Sequence, residues 1–244
     1  MTKDIVGGQA IMEGVMMINK RDIGIAVRAP DKKIVTKKDK ISKLPKIFEL
    51  PFIRGFIKIF FMLFIGIKAL NYSVDVALSE EHEKTSTWEI VLMIAFSVVI
   101  AILAFKLLPL FLANVINTKL HGTYTAFNIL DGIIKISLFI GYVYAISFLK
   151  DVRRLFEYHG AEHMAVHCYE AKKKLTVSNV KKFTTLHPRC GTAFIMIVLI
   201  ISIIIYTFIP EGSSLWFKFG LRILLLPVIA GVSYEFLRLG AKYE

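Results

Sequence analysis

The stretch Ile90–Leu112, IVLMIAFSVVIAILAFKLLPLFL, decides the fold of this chain, because Lys106 is its only charged side chain. A helix needs about 20 mostly apolar residues to cross the hydrocarbon core of a bilayer, and this run is long enough. The composition agrees, since 55% of the 244 residues are hydrophobic and the mean hydropathy is +0.60, whereas a soluble domain is about 45–50% apolar. The sequence therefore predicts an integral membrane protein.

Three further apolar runs predict membrane-spanning helices, and these are Ile129–Leu149, Thr192–Phe208 and Leu221–Leu237. The last two are at the short limit for crossing a bilayer. Together with the first run they predict a mainly α-helical, polytopic membrane protein with about four transmembrane helices.

Charged residues within these spans carry information, because burying a charge in lipid is costly. Asp131 and Lys135 are four residues apart, so on a helix they can pair with each other. We interpret them as structural or as a lining. Glu235, near the end of the last span, is interpreted as a snorkelling carboxylate, as a metal ligand or the partner of a histidine at the site, or as the partner of a loop arginine.

The segment Phe52–Leu70 is apolar but carries three basic residues, Arg54, Lys58 and Lys68. On a helix these fall within an arc of about 80°. This pattern favours a helix that lies in the membrane interface with its basic side chains toward lipid headgroups. The alternative is a spanning helix, because Ile59–Ile67 is apolar all round.

The net charge of +12 is concentrated in two segments: residues 1–51 contain eleven Lys and Arg and residues 150–191 contain nine, whereas 113–126 and 210–220 contain one each. Cytoplasmic loops are rich in Lys and Arg. Four spans therefore place both basic segments and both termini in the cytoplasm, in a multi-pass protein of the cell membrane. Because anionic lipid headgroups attract such segments, we expect the bilayer as a partner and no nucleic acid.

Residues 1–51 are expected to form a small cytoplasmic β element. Asp22–Ala29 and Lys32–Lys37 have strand-like patterns on either side of a Pro-Asp turn. The preceding run, Ile5–Met17, is punctuated by glycines and mostly apolar, and Glu13 is its only charged residue. We interpret Glu13 either as a ligand or base that folds over a site elsewhere, or as a turn carboxylate beside Gly14.

The chain thus divides into five parts. They are residues 1–51 (β-rich segment), 52–89 (interfacial helix and acidic connector), 90–149 (first transmembrane helix pair), 150–191 (cytoplasmic His-rich helix and loop) and 192–244 (second transmembrane helix pair). The fourth part carries the candidate site.

The candidate site begins in Glu157–Glu170, EYHGAEHMAVHCYE, which holds three of the six histidines. On a helix, one arc of about 140° contains His159, Glu162, His163, His167 and Glu170, and Cys168 points away. Histidines four apart can reach the same ion. Residues 159–163 also match H-x-x-E-H, a pattern in which two histidines bind zinc and the glutamate activates a water. The alternative is a solvated helix face that is rich in histidine.

A second motif, Leu186–Thr192 (LHPRCGT), lies just before the third span. His187 and Cys190 are three residues apart, so both can face one ion. Two histidines from a helix with a His or Cys from a loop would form a catalytic zinc set with an open position for water. Arg189 is expected to bind an anionic substrate group or a lipid phosphate.

Three motifs in the same order, Gly7–Met17, Tyr158–His163 and His187–Thr192, resemble the YqhQ-like family of uncharacterised bacterial membrane proteins. The resemblance runs over nearly the whole chain. It implies a location in the cytoplasmic membrane, and the family has been described as predicted metal-dependent enzymes. The positions that it highlights are Glu13, His159, Glu162, His163, His187, Arg189 and Cys190. It implies no substrate.

The leading hypothesis is a membrane-embedded, metal-dependent hydrolase-type enzyme whose site lies at the cytoplasmic membrane interface. The cofactor would be a divalent metal, with zinc expected first, and the substrate would be amphipathic or membrane-delivered. The expected metal ligands are His159, His163, His187 and Cys190, and the catalytic candidates are Glu162 as general base, Arg189 and Glu13.

Two alternatives stay open at the level of sequence. One is a non-catalytic transporter, channel or scaffold with a closed, structural metal site, in which a homo-oligomer could form a pore. The other is a two-iron site of histidines and carboxylates, for which the chain has barely enough ligands. Imidazole ligands alone do not separate zinc from nickel, copper or iron.

Overall fold

The computed structural model describes residues 6–41, 53–78, 86–209, 212 and 214–240. These residues form two units, each of which is described by itself. The first unit holds the N-terminal sheet, most of the first helix and the His-rich segment through Pro188. The second holds the remaining helices. Residues 42–51 of the expected N-terminal segment and 79–85 of the acidic connector lie outside the described residues.

The N-terminal segment forms a four-stranded antiparallel meander, which confirms the expected β element and extends it. The strands are β1 (Val6–Ile11), β2 (Gly14–Asn19), β3 (Asp22–Arg28) and β4 (Ile34–Lys40). Two-residue turns join β1 to β2 and β2 to β3, with Glu13 and Lys20 at positive φ angles of 48° and 55°. The glycine-punctuated run before Asn19 thus forms two strands that the sequence pattern did not predict.

One face of the sheet packs on helix α1 (Ile53–Leu78). The buried residues of this contact are Ile11, Met16, Ile18, Ile23, Ile25, Val27 and Ala69. A hydrogen bond from Met12 N to Ser73 Oγ, 3.0 Å long, links the turn after β1 to the same helix. Alternate residues of the strands therefore form an apolar core with the second half of α1.

The opposite face of the sheet packs on helix α5 (Lys150–Glu170), which confirms the predicted His-rich helix and begins seven residues before its His-rich part. Asn19 Nδ2 donates a hydrogen bond to the Tyr169 hydroxyl at 3.4 Å, and Gly8 faces Glu162. After α5 come a short helix, α6 (Val177–Val180), and an irregular segment that runs to Pro188. The first unit is therefore a sheet between two helices.

The second unit consists of helices. They are α2 (Thr87–Ile102), a π-helical turn (Leu103–Leu107), α3 (Leu108–Lys119), α4 (Tyr124–Ile146), α7 (Gly191–Tyr206), α8 (Leu215–Leu224) and α9 (Leu226–Gly240). Helices α7 and α9 pack against each other. The core residues of this contact include Ile201, Tyr206 and Ile229.

Within the described residues, three helices are long and apolar enough to cross a membrane: Arg54–Leu78, Trp88–Lys119 and Tyr124–Ile146. The number is four if α8 and α9 count as one span. Helix α7 is apolar but shorter. The mainly helical architecture is confirmed at this level, while the number of spans and the position of α1 at the membrane stay predictions.

The predicted span Leu221–Leu237 is not one straight helix. It is interrupted between α8 and α9, whose axes differ by 48°. Pro227 follows the break directly, and it has no N–H to donate to the carbonyl four residues earlier. The bend therefore has a local cause in the sequence.

The charged residues of the spans form ion pairs inside the second unit. Asp131 and Lys135 pair at 2.5 Å, as expected, and Arg222 of α8 joins the same carboxylate at 2.6 Å. Glu235 forms two hydrogen bonds with Arg54, at 2.7 and 2.6 Å. Glu235 therefore has an arginine partner, but this arginine belongs to helix α1 and not, as predicted, to a loop.

Candidate metal centre on the histidine helix

Helix α5 turns a polar face toward the interior of the first unit. Glu162 and His163 on this face are only 4% and 6% exposed. Buried titratable side chains are costly unless they are paired or bound. Since the two residues are adjacent in sequence and both are covered, the packing of α5 brings them into one polar site.

The ring of His163 is held in one orientation by the segment that follows α6. Its Nδ1 atom lies 2.6 Å from the Thr185 carbonyl oxygen. Because a carbonyl oxygen carries no proton, Nδ1 must be the donor. The neutral ring then has its lone pair on Nε2, which is the arrangement usually found in metal-binding histidines.

His167 is oriented in the same way, one helical turn further along α5. Its Nε2 atom lies 2.9 Å from the Leu186 carbonyl oxygen. The ring of His187, on the same segment as Leu186, lies with its centroid 4.6 Å from that of His167 and 5.5 Å from that of His163. Four imidazoles thus approach one another, because the His159 and His163 centroids are 4.3 Å apart.

Glu162 lies beside two of these rings. Its Oε2 atom is 3.7 Å from His163 Nε2 and 4.0 Å from His159 Nδ1. Burial raises the pKa of Glu162 above its usual value, and the charges of His163 and His159 oppose this rise. A carboxylate with a raised pKa is a better proton acceptor than a carboxylate with the usual pKa.

Gly8 of β1 makes room for this carboxylate. A Cβ atom at Gly8 would lie 2.7 Å from Cγ and Cδ of Glu162, which is too close for any real contact. At the neighbouring Gly7 a Cβ atom would have nothing within 4 Å. The N-terminal motif therefore packs directly on the candidate site, and Gly8 is the position where it does so.

Glu13 also reaches α5, but its contacts are those of a positioning residue. Its carboxylate accepts hydrogen bonds from Arg154 at 2.7 and 3.1 Å and from the Tyr158 hydroxyl at 2.9 Å. The hydrogen bond from Arg154 lowers the pKa of Glu13, although burial opposes it. Both carboxylate oxygens of Glu13 thus accept hydrogen bonds, and one of the donors, Tyr158, directly precedes His159 in α5. A role of Glu13 as a base stays a prediction.

Arg189 and Cys190 belong to the second unit. Cys190 is the N-cap of α7, where its Sγ atom accepts a hydrogen bond from Thr192 N at 3.4 Å. Arg189 is half-buried. Cys168 points away from the histidines, as expected, and its Sγ lies 3.7 Å from the Lys174 carbonyl oxygen.

Sequence reasoning missed three features of this site. These are the space at Gly8, the two backbone carbonyls that orient His163 and His167, and the pairing of Glu13 with Arg154. The motif around Gly8 was visible, but the reason for a glycine there is a contact with a helix far along the chain. A hydrogen bond to a backbone carbonyl does not depend on the residue type, so the sequence gives no sign of it.

Comparison with known proteins gives two matches of wide extent. The profile of DUF1385, described as a protein of unknown function, matches residues 50–244. The protein described as "Uncharacterized protein YqhQ" of Bacillus subtilis (strain 168) is 34% identical over 252 aligned positions, which cover 97% of this chain and 79% of that protein.

No solved structure matches the chain. Neither description names a metal, an activity or a substrate. The YqhQ-like resemblance is nevertheless confirmed, because the matched regions include the histidine helix and the segment after it. The chain belongs to the DUF1385 family.

Proposed function

We propose that the chain is a metal-dependent hydrolase-type enzyme that works at the cytoplasmic surface of the cell membrane. The observation that carries the proposal is the hydrogen bond from His163 Nδ1 to the Thr185 carbonyl oxygen. A histidine that binds a metal through one nitrogen nearly always donates from the other to a carbonyl, a carboxylate or a water.

The spacing of the rings fits ligands of one ion. Zinc binds imidazole nitrogen at about 2.1 Å in tetrahedral geometry, so the ring centroids of two ligands lie about 5 Å apart. The centroids of His159 and His163 are separated by 4.3 Å, and those of His163 and His187 by 5.5 Å. The ligand nitrogens of His159 and His163 also lie within 4.8 Å of each other, so we propose these two histidines as ligands. His187 is proposed as a third ligand from its sequence motif and its place beside His163. Cys190, three residues after His187, is a further candidate from the sequence spacing alone.

Glu162 is the proposed general base. A divalent metal at this position would supply Lewis acidity, which lowers the pKa of a water toward about 7. The carboxylate of Glu162 would accept the proton of that water, and its burial beside β1 keeps bulk solvent from competing. Arg189 would hold an anionic group of the substrate.

The proposed substrate is amphipathic, and a cavity in the first unit supports this class. It has a volume of about 920 Å³ and lies between the sheet and the second half of α5. Its apolar lining includes Val15, Met17 and Leu175. Its charged lining consists of two lysines and two aspartates: Lys38, Lys40, Asp22 and Asp39. Ala165, two residues after His163, also lines it. An acyl or peptide chain with a polar end fits these properties.

The sheet supports an interfacial rather than a spanning position for α1. β4 is exposed along its whole length at an edge of the sheet, and open sheet edges do not occur in hydrocarbon. From Ile65 onward α1 packs on this sheet. The remaining length, from Ile53 to Phe64, is about 18 Å at 1.5 Å per residue, which is short of the roughly 30 Å hydrocarbon core.

Elemental mass spectrometry of the purified chain tests the metal proposal. We expect about one equivalent of zinc in the wild type and none in the His159→Ala/His163→Ala variant. The matched control is His121→Asn, because His121 is exposed and Asn tolerates its positive φ of 48°. No metal in the wild type after incubation with zinc would overturn the proposal, and two equivalents of iron would favour a two-iron site.

A structural metal site in a non-catalytic transporter, channel or scaffold is the second candidate. The observation that favours it is the orientation of His167 by the Leu186 carbonyl, since a fourth imidazole could close the coordination shell. X-ray absorption at the zinc edge separates the two. Three protein ligands and one oxygen support the enzyme, whereas four nitrogen or sulfur ligands support the structural site.

A further inference from the structure

A second cluster of charged side chains lies inside the second unit. Arg222, Lys135 and Asp131 are each only about 1% exposed. Asp131 Oδ2 accepts hydrogen bonds from both cations, at 2.6 Å from Arg222 Nη1 and 2.5 Å from Lys135 Nζ. One carboxylate oxygen thus serves two buried cations.

A third cation, Lys106, joins the cluster from the π-helical turn. Its Nζ atom lies 3.4 Å from the hydroxyl of Tyr206, a residue that is itself 1% exposed. The Tyr206 ring is surrounded by cations, because its centroid lies 4.5 Å from Arg222 Cζ, 4.8 Å from Lys135 Nζ and 5.8 Å from Lys106 Nζ. Each contact with the ring is favourable, but the ring carries no net charge.

The charges of this cluster do not balance. Within the part of the chain that the structure describes, Asp131 is the only carboxylate that forms an ion pair with any of these three cations, and its partners are Lys135 and Arg222. An arginine stays protonated in a protein, and uncompensated charge in a buried site is strongly destabilising. With both lysines protonated, the cluster has two positive charges in excess.

Two polar atoms of the cluster also have no hydrogen-bond partner among the described residues. They are Arg222 Nε and Asp131 Oδ1, one a donor and the other an acceptor. Arg222 Nη2 does have a partner, Asn128 Oδ1 at 3.0 Å. Leaving a buried polar atom unsatisfied is costly, so a ligand that forms hydrogen bonds with these atoms would be bound favourably.

We propose that Lys106, Lys135 and Arg222 form a binding site for a phosphate-type anion, supplied either by a lipid headgroup or by free phosphate. Phosphate carries one or two negative charges, which would balance the excess, and its oxygens accept from guanidinium and ammonium groups. A protonated phosphate oxygen would donate to Asp131 Oδ1. Lys106 gives a route of approach, since it is only half-buried, and π-helical turns are frequent at functional sites.

Native mass spectrometry of the full chain in detergent tests this site with two lipids of equal chain length, dioctanoyl phosphatidylglycerol and dioctanoyl phosphatidylcholine. We expect at least tenfold tighter binding of phosphatidylglycerol by the wild type. Lys106→Gln should lose this preference, while Lys119→Gln, an exposed lysine at the end of α3, should keep it. Equal binding of the two lipids, or equal behaviour of the two variants, would overturn the proposal.

Thermal unfolding with inorganic phosphate separates the two sources of the anion. A rise in Tm with phosphate, together with displacement of phosphatidylglycerol, indicates a site for free phosphate; a response to the lipid alone indicates a headgroup site.

Lys135→Met gives a second test that does not require loss of folding. Because it removes one excess charge, it should raise the Tm without ligand and abolish the response, and a lower Tm with an intact response would contradict the proposal.

Discussion

The substitution Gly8→Ala tests the contact between the N-terminal sheet and the candidate base. The new Cβ atom would lie 2.7 Å from Cγ and Cδ of Glu162, so the carboxylate must move. Glu162 is 4% exposed and has little free space. Overpacking of this kind costs about 1–3 kcal/mol, and about 2–4 °C of Tm per kcal/mol applies to a chain of this size. We expect a fall in Tm of about 2–12 °C by differential scanning fluorimetry.

Gly7→Ala is the matched control, because a Cβ atom there meets nothing within 4 Å. By restricting the unfolded chain it should be neutral or stabilise the protein by about 0.4–1 kcal/mol. The double variant Gly8→Ala/Glu162→Ala should recover most of the loss caused by Gly8→Ala, since residues in contact give non-additive effects. Equal Tm values for the two alanine variants, or strict additivity in the double variant, would refute the assignment of Gly8 to the space beside Glu162.

Three further predictions concern other contacts. Glu13→Gln should lower the Tm slightly at pH 7, because the hydrogen bond from Arg154 lowers the pKa of Glu13 in the folded state only. The difference from the wild type should begin to shrink as the pH falls below 4.5, the ordinary pKa of Glu13, and should vanish below the lowered pKa of the folded state; Tm measured from pH 3 to 7 checks this. Asp131→Leu should cost about 3–5 kcal/mol, because it leaves buried cations uncompensated; size-exclusion chromatography in detergent would show loss of the folded peak. Cys190→Ser should weaken zinc binding at least about tenfold if the thiolate is a ligand, whereas Cys168→Ser, a change at a thiol that points away, should leave the affinity unchanged in a chelator competition assay.

Patterns that depend on neighbouring residues predicted much of this structure. The 3.6-residue spacing of His159, Glu162 and His163 predicted a helix with one polar face, and α5 has that face. The apolar runs predicted the helices of the second unit, with boundaries a few residues away from those observed. The pair of Asp131 and Lys135 was predictable because both residues lie on one helix face.

Features that depend on distant residues were not predictable in this way. Arg222 marked only the end of an apolar run in the sequence, but it pairs with a carboxylate 91 residues earlier. The two strands before Asn19 lacked a strand signal, because glycines interrupt their alternation. One of these glycines is explained only by its contact with Glu162. The bend before α9 had a local signal in Pro227, but the run was interpreted as one continuous span because of its hydropathy.

The order in which the sheet and its two covering helices occur along the chain has a consequence for synthesis. The sheet can form as soon as β4 has left the ribosome, and α1 follows at once to cover one face. Helix α5 begins about 110 residues after the end of β4. At a synthesis rate of roughly 5–20 residues per second, this is a delay of about 5–20 s. During this time no described part of the chain covers the face that contains Gly8. Helices α2–α4 are therefore synthesised while this face of the sheet is uncovered, and the candidate metal centre can assemble only after α5 has also been made.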